Sequence, residues 1–400
     1  MLATPSRSAG YIKRPQMDKR PTITNLFFSF LRLGATAFGG PAMVAYIKEM
    51  AVGEKKWLDE ETFRDGVALA QAIPGATSMQ TAAYVGLRTR GIPGAAASFV
   101  GFGLPAFVFL MILSAIYVRA SHVPVVVSLF NGLQAMVIAI VANATVSFGL
   151  SYLKGWRESL IAGVAAVMFG FRINPVYVIV LAAVCGMPLF RNTHLPGQQI
   201  ISRKARHGIQ YIALLFAIAA VWFALLFTFS RPLFSLSALM SKIDLFAFGG
   251  GYASVPLMFH EVVEARSWMD ARTFLNGIAL GQVTPGPIVL TATFVGYLLH
   301  GPLGGVVASI GIFLPSFFII VGVVPYFDRL KGSSLLTSAF SGVLCSFVGL
   351  LFSVTLRFAS DIPWDLPRAL LAGAAFAALY AGIRLPWVVL AGAAVSFFVT

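Results

Sequence analysis

The chain has 400 residues, of which 58% are apolar and only 11% charged, with a mean hydropathy of +0.84 and a formal net charge of +14. A soluble fold could not bury that much apolar surface, and runs of about 20 mostly apolar residues, the length that crosses a bilayer, recur from Leu26 to the C-terminus. The cations sit in an N-terminal tail and in short loops, a pattern that orients membrane proteins and argues against nucleic acid as a partner.

Residues 1–23 form a basic tail (Arg7, Lys13, Arg14, Lys19, Arg20) that reads as a disordered cytoplasmic anchor. The first apolar run is interrupted by Arg32 and by Gly39-Gly40-Pro41, so no cleaved signal peptide is read. A first repeat, 24–190, holds six apolar segments near 25–48, 64–86, 93–118, 123–152, 159–171 and 174–190. Residues 191–233 follow as a basic loop and one further apolar segment. A second repeat, 234–400, places six more near 236–260, 275–297, 302–326, 333–357, 367–382 and 385–400.

The two halves are copies. Phe38-Gly39-Gly40 matches Phe248-Gly249-Gly250 at 248 − 38 = 210, as do Arg32 and Lys242, Thr81 and Thr291, Gly86 and Gly296, Gly91 and Gly301, and Arg119 and Arg329. One residue of slip then pairs Trp57 with Trp268, Asp59 with Asp270, Gln71 with Gln282, Pro74 with Pro285 and Gly75 with Gly286. An even number of crossings per copy plus one linker helix turns the second copy upside down. Loop charges agree: Arg88 and Arg90 become Leu298 and His300, whereas Arg119 becomes Asp328, Arg329 and Lys331. The predicted fold is an all-α polytopic membrane protein of about 13 segments. It is built from two inverted-topology repeats with broken helices, the N-terminus inside and the C-terminus outside. Whether the first two segments of each repeat cross fully or re-enter stays open. Asp59 and Asp270 read as helix N-caps, and Trp57 and Trp268 as residues of the water–lipid boundary.

Three stretches can carry chemistry. Glycine and proline inside an apolar run break the helical ladder, and a break frees N–H groups at a helix start, where anions bind. Gly39, Gly40 and Pro41, with Gly249 and Gly250, are such breaks in both copies. Gln71, Pro74, Gly75 and Thr81, with Gln282, Thr284, Pro285, Gly286, Pro287 and Thr291, place amides and hydroxyls in mid-segment, donors suited to a dry oxyanion site. Arg32 and Lys242 are cations within membrane segments, a placement that is rare and usually functional. Packing glycines, interhelical hydrogen bonds and snorkelling are the structural alternatives. Asp244 and His260 lack matched partners and rank lower. Cys185 and Cys345 are isolated, no metal spacing is present, and no cofactor motif stands in a fitting context, so neither cofactor nor metal is expected.

These motifs (FGGPAMVAYIKEM and QAIPGATSMQTAAYVG in the first copy, FGGGYASVPLMFHEVV and ALGQVTPGPIVLTATFVGYLLHGPLGG in the second) resemble the long-chain, two-domain form of the chromate ion transporter family. The resemblance implies a multi-pass carrier of the bacterial inner membrane that moves chromate outward, confers chromate resistance and is antagonised by sulfate. One departure is Pro74-Gly75-Ala76, where the family often has a second proline. The expected partners are a small inorganic anion and the lipid bilayer, with a homodimer allowed. A same-fold carrier of another anion competes with this reading. A membrane-embedded enzyme or a non-transporting assembly subunit ranks behind both, because no acid–base cluster appears in the apolar segments.

Overall fold

The computed structural model describes residues 20–39, 42–190, 208–326 and 334–399. The basic tail up to Lys19, the basic loop 191–207, the charged loop containing Arg329, and Gly40 and Pro41 lie outside the described residues. All regular structure among the described residues is helical. The first copy contributes α1 (Ile23–Thr36), α2 (Ala42–Lys48), α3 (Glu60–Ala72), α4 (Thr77–Ala120), α5 (Pro124–Tyr152), α6 (Trp156–Gly170) and α7 (Pro175–Leu189). After α8 (Gly208–Phe229) the series repeats as α9 (Arg231–Phe246), α10 (Ser254–Phe259), α11 (Ala271–Val283), α12 (Thr291–Val323), α13 (Ser334–Asp361), α14 (Leu366–Tyr380) and α15 (Leu385–Val399). Wider π-helical turns extend α2 through Glu49–Glu54 and α10 through His260–Ala265.

Local chemistry sets the boundaries. The Asp59 carboxylate accepts from the Thr62 N–H (2.7 Å), and Asp270 does the same for Thr273 (2.9 Å), so both are the N-caps the sequence predicts. Trp57 is only 8% exposed and packs into the core, so its ring does not face lipid; its N–H closes the π-turn on Ala51. α4 and α12 each reverse at a residue pair with non-helical backbone, Arg90-Gly91 and His300-Gly301. The arms then run antiparallel: Gly86 lies against Gly94, and the Ser98 hydroxyl donates to the Ala82 carbonyl across 2.7 Å.

The first two apolar segments of each copy fold back on themselves. Gly66 of α3 meets the Tyr84 ring of the first arm of α4, so the two helices form a hairpin with its tip at Pro74-Gly75. The Arg90 guanidinium donates to the Pro21 carbonyl (2.5 Å), and Lys48 pairs with Glu60 (2.6 Å). The starts of α1 and α3 and the ends of α2 and of that arm therefore share one face of the molecule, called here the near face. In the second copy Lys242 pairs with Glu261 (2.6 Å), folding α10 back along α9, and Gly277 meets the Phe294 ring. Four helical passages per copy remain: the long arm of α4 or α12 and the three helices after it. Four is even, so with α8 the copies are inverted. The contacts agree: Asn276, near the start of α11, donates to the Tyr117 hydroxyl at the far end of α4 (3.1 Å).

Two bodies result. α1, α4, α9 and α12 with the four re-entrant pieces form a core. α5 and α13 form the centre of a frame, and each gathers the other copy's last two helices: α6 and α7 pack on α13, and α14 and α15 pack on α5. Small residues line these seams; Gly349 lies against Ala162 and Gly342 against Ala182 and Gly186. The outer surface exposes Phe28, Trp156, Phe216, Leu370 and Trp387, each at least 60% accessible, as a lipid-facing mantle does. The long helices Thr77–Ala120, Pro124–Tyr152, Ile288–Val323 and Leu335–Asp361 are apolar and long enough to cross a bilayer.

Candidate functional site

Four breaks converge: residues 37–39 and 247–251 next to half-helices, and the hairpin tips at 73–76 and 284–287. The copies exchange one bond each way. The Gly75 N–H donates to the Ala247 carbonyl (2.9 Å), and the Gly286 N–H donates to the Ala37 carbonyl (3.1 Å). Both tip glycines adopt positive φ, +118° and +123°, a region that a side chain would strain. This position also lets each tip approach the other copy closely, Gly75 against Ser316 and Gly286 against Ala106.

A cleft of about 660 Å³ opens from the near face down to this junction, between core and frame. Lys48, Glu60 and Arg64 stand toward its mouth. Its floor is Ala76, Thr77, Ser78, Gly249, Gly250 and Pro287. The frame supplies Ser147, Phe148 and Ser151 from α5, the two serines one helical turn apart. The floor therefore contains the start of α4, whose N-cap position is Ala76 and has no side-chain cap. The first N–H groups of a helix have no intrahelical partner and carry the positive end of its dipole. With the Thr77 and Ser78 hydroxyls below, and Arg64 and the Glu60-paired Lys48 above, the cleft offers an anion neutral donors and the positive potential of Arg64 and the helix start.

The first tip is held more firmly than the second. The Ala76 N–H donates to the Ser316 hydroxyl oxygen (2.9 Å), and that hydroxyl donates to Asp244 (3.0 Å). Asp244 also accepts from the Ser316 N–H (2.7 Å) and is fully buried. The repeat equivalents of Asp244 and Ser316 are Gly34 and Ala106 (offset 210), so the second tip has no such polar support. Gln80 donates from Nε2 to the Pro74 carbonyl (2.6 Å) and bears a buried, unpartnered Oε1.

The site residues read from the sequence divide into groups. Gln71, Gly249, Gly250 and Pro287 line the cleft, and Pro74, Gly75, Pro285 and Gly286 build the tips beside it. Gln282 is buried and keeps Nε2 unpartnered. Thr81, Thr284 and Thr291 turn their hydroxyls to backbone carbonyls of Thr77, Gly281 and Ile288, which caps or braces their helices. Gly39 packs against Leu385 on the opposite side of the junction. Arg32 is exposed on α1 and Lys242 is paired with Glu261; neither lines the cleft. Sequence reasoning missed Lys48, Arg64, Ser147, Ser151 and Tyr252. Arg64 sits in the charged start of α3, among Glu60, Glu61 and Asp65, so nothing in the sequence singled it out.

Paired re-entrant hairpins and broken helices, contributed by inverted repeats around a central cleft, define a membrane transporter of the inverted-repeat type. A family model described as Chromate transporter matches residues 24–187 and 234–397, so the chain belongs to the chromate transporter family. It is 43% identical over 382 residues to an uncharacterised transporter of Methanocaldococcus jannaschii, covering 94% of this chain and 95% of that protein. It is 30% identical over 353 residues to a chromate transport protein of Cupriavidus metallidurans, covering 88% and 86%. An uncharacterised transporter of Bacillus subtilis is 29% identical over 166 residues, which is 93% of its length and 40% of this chain. No solved structure matches the chain significantly.

Proposed function

We propose that the chain exports chromate across the bacterial inner membrane, with the near face cytoplasmic, and so confers chromate resistance. The convergence of both hairpin tips on a cleft with an uncapped helix start and two cations carries this reading. Arg88, Arg90, Lys154 and Arg157 lie at helix ends of the near face, which supports its cytoplasmic assignment and, with it, a periplasmic C-terminus. The cleft takes the tetrahedral dianion; Gln71, Thr77, Ser78, Gly249 and Gly250 donate to it, and Arg64 and Lys48 draw it in. Residues 24–190 and 234–400 act as the two transport repeats, joined by 191–233.

With the cell interior negative, a leaving dianion gains about 4.6 kcal/mol per 100 mV, from about 2.3 per charge. Export therefore runs on the potential alone. A second reading keeps the site and changes the cargo. Neutral donors and two cations suit any tetrahedral oxyanion, sulfate included. The test is chromate uptake into everted vesicles, with and without excess sulfate. Potential-dependent uptake blocked by sulfate is expected; uptake unchanged when the potential is collapsed would refute the energetics, and no uptake by folded protein would move the cargo to another anion.

A further inference from the structure

The two ends of the transport path are built from equivalent positions and are in opposite states. On the near face Lys48, Phe63 and Phe148 line the open cleft. Their repeat equivalents are Phe259, Phe274 and Phe358 (offsets 211, 211 and 210). These three rings pack on one another with centroids 5.1–6.3 Å apart, and none is more than 2% exposed. The far end is thus plugged where the near end is open.

Beside the plug lies a group of charges that the first copy lacks. Glu264, on the π-turn after α10, pairs through one oxygen with Arg357 of α13 and through the other with His260 (2.8 Å). The Arg357 guanidinium also donates to the carbonyls of Phe169 (2.5 Å) and Gly170 (3.1 Å), where α6 ends. The three side chains are 7–16% exposed. Glu264 belongs to the core, whereas Arg357, Phe169 and Gly170 belong to the frame, so this ion pair joins the two bodies. The equivalents of Glu264 and Arg357 are Gly53 and Ser147, and Ser147 lines the open cleft. Removing one partner of a buried pair leaves an uncompensated charge, so the pair favours the one arrangement in which both partners meet.

We propose that the Glu264–Arg357 ion pair is the latch that closes the far end of the path, holding core against frame over the Phe259–Phe274–Phe358 plug. It must open for an anion to leave on that side. The latch rests on the reading of the cleft as the transport path, but its test does not need the cargo. In protein with Cys185→Ala and Cys345→Ala, a single reporter is placed at Ile278→Cys or at its cleft-lining equivalent Val67→Cys (278 − 211 = 67). A membrane-impermeant maleimide is applied to reconstituted, unsealed bilayers.

The expected result is fast labelling of Val67→Cys and protection of Ile278→Cys. Adding Glu264→Ala speeds labelling of Ile278→Cys roughly ten-fold, since the closed state loses its paired charge. Exchanging the charges, Glu264→Arg with Arg357→Glu, restores protection. Rapid labelling of Ile278→Cys in the parent overturns the latch, as does unchanged protection in Glu264→Ala protein that elutes as a single folded species. Where Glu264→Ala fails to fold, Glu264→Gln, which keeps the side chain's shape and removes its charge, gives the same reading. Absent chromate flux with the labelling pattern intact would refute the cargo and leave the latch standing.

Discussion

The hydroxyls of Thr145 and Thr355 lie 3.4 Å apart, and the two residues are each other's repeat equivalents, 210 positions apart. A residue that touches its own counterpart marks the pseudo-twofold axis, here at the crossing of α5 and α13 in the frame. Around that axis the backbone is nearly symmetric while the side chains are not. Lys48 faces Phe259, Ser147 faces Arg357 and Gly34 faces Asp244 across the repeat. The functional asymmetry therefore lies in side chains placed on a duplicated backbone.

Glycines of positive φ divide into two classes, and substitution should separate them. Gly91 and Gly301 (φ +65° and +63°) face open space, so Gly→Ala there adds backbone strain alone, about 1–3 kcal/mol. Gly75 and Gly286 combine such strain with overlap on Ser316 and Ala106, and the same change adds a further 1–3 kcal/mol or so. Thermal unfolding in detergent should rank the tip variants well below the turn variants. Equal losses would show that the tips are not close-packed.

The Asp244–Ser316 pair should behave as one unit. Ser316→Ala deprives the Ala76 N–H of its acceptor and Asp244 of a donor, at a cost of about 1–3 kcal/mol for each buried group left unmatched. Asp244→Ala combined with Ser316→Ala should cost less than the sum of the single changes. A double-mutant cycle on the melting temperature measures the coupling, and strict additivity would remove Ser316 from the support of the first tip.

Arg64 should control capture of the anion. Arg64→Ala is expected to raise KM for the transported oxyanion roughly ten-fold at low salt, with a smaller effect at high salt where exposed charges are screened. Arg32→Ala, at an exposed position on α1, should leave KM within about two-fold, as surface substitutions away from a site do. Flux measured against substrate concentration at two ionic strengths decides both. A larger effect at Arg32 would relocate the anion's approach.

Thr77 and Ser78 should act on binding rather than on folding. Their hydroxyls stand on the cleft floor at an uncapped helix start, so Thr77→Ala with Ser78→Ala should weaken anion binding several-fold with little change in melting. Competition by sulfate should weaken in parallel. A fall in stability without a change in binding would make them helix-start residues only.

The sequence displayed what is local or repeated. The breaks at Gly39 and Gly249, the tips at Pro74-Gly75 and Pro285-Gly286 and the caps at Asp59 and Asp270 depend on glycine, proline and aspartate acting within a few residues. The cleft was less legible, because Lys48, Arg64, Ser147 and Ser151 come together only through packing and are replaced by different residue types, Phe259, Leu275, Arg357 and Asp361, in the second copy. Matching Arg32 with Lys242 implied a shared role, but Glu261 neutralises Lys242, and Met50 stands at the equivalent position beside Arg32's half-helix. Re-entry of the first two segments was undecidable by hydropathy, since a folded hairpin and a full crossing can have the same apolar length. The contact of Gly66 with Tyr84 decides it.

The exchange of α6 and α7 for α14 and α15 imposes a timetable on biosynthesis. α5 is complete at Tyr152, yet the helices that cover it begin at Leu366, so 366 − 152 = 214 residues must be added first. At roughly 5–20 residues per second that is a wait of about 10–40 s, during which the small-residue seam of α5, Gly132 included, faces lipid or a helper protein. The first half is inserted early and becomes a finished structure only when the last helix of the second half arrives.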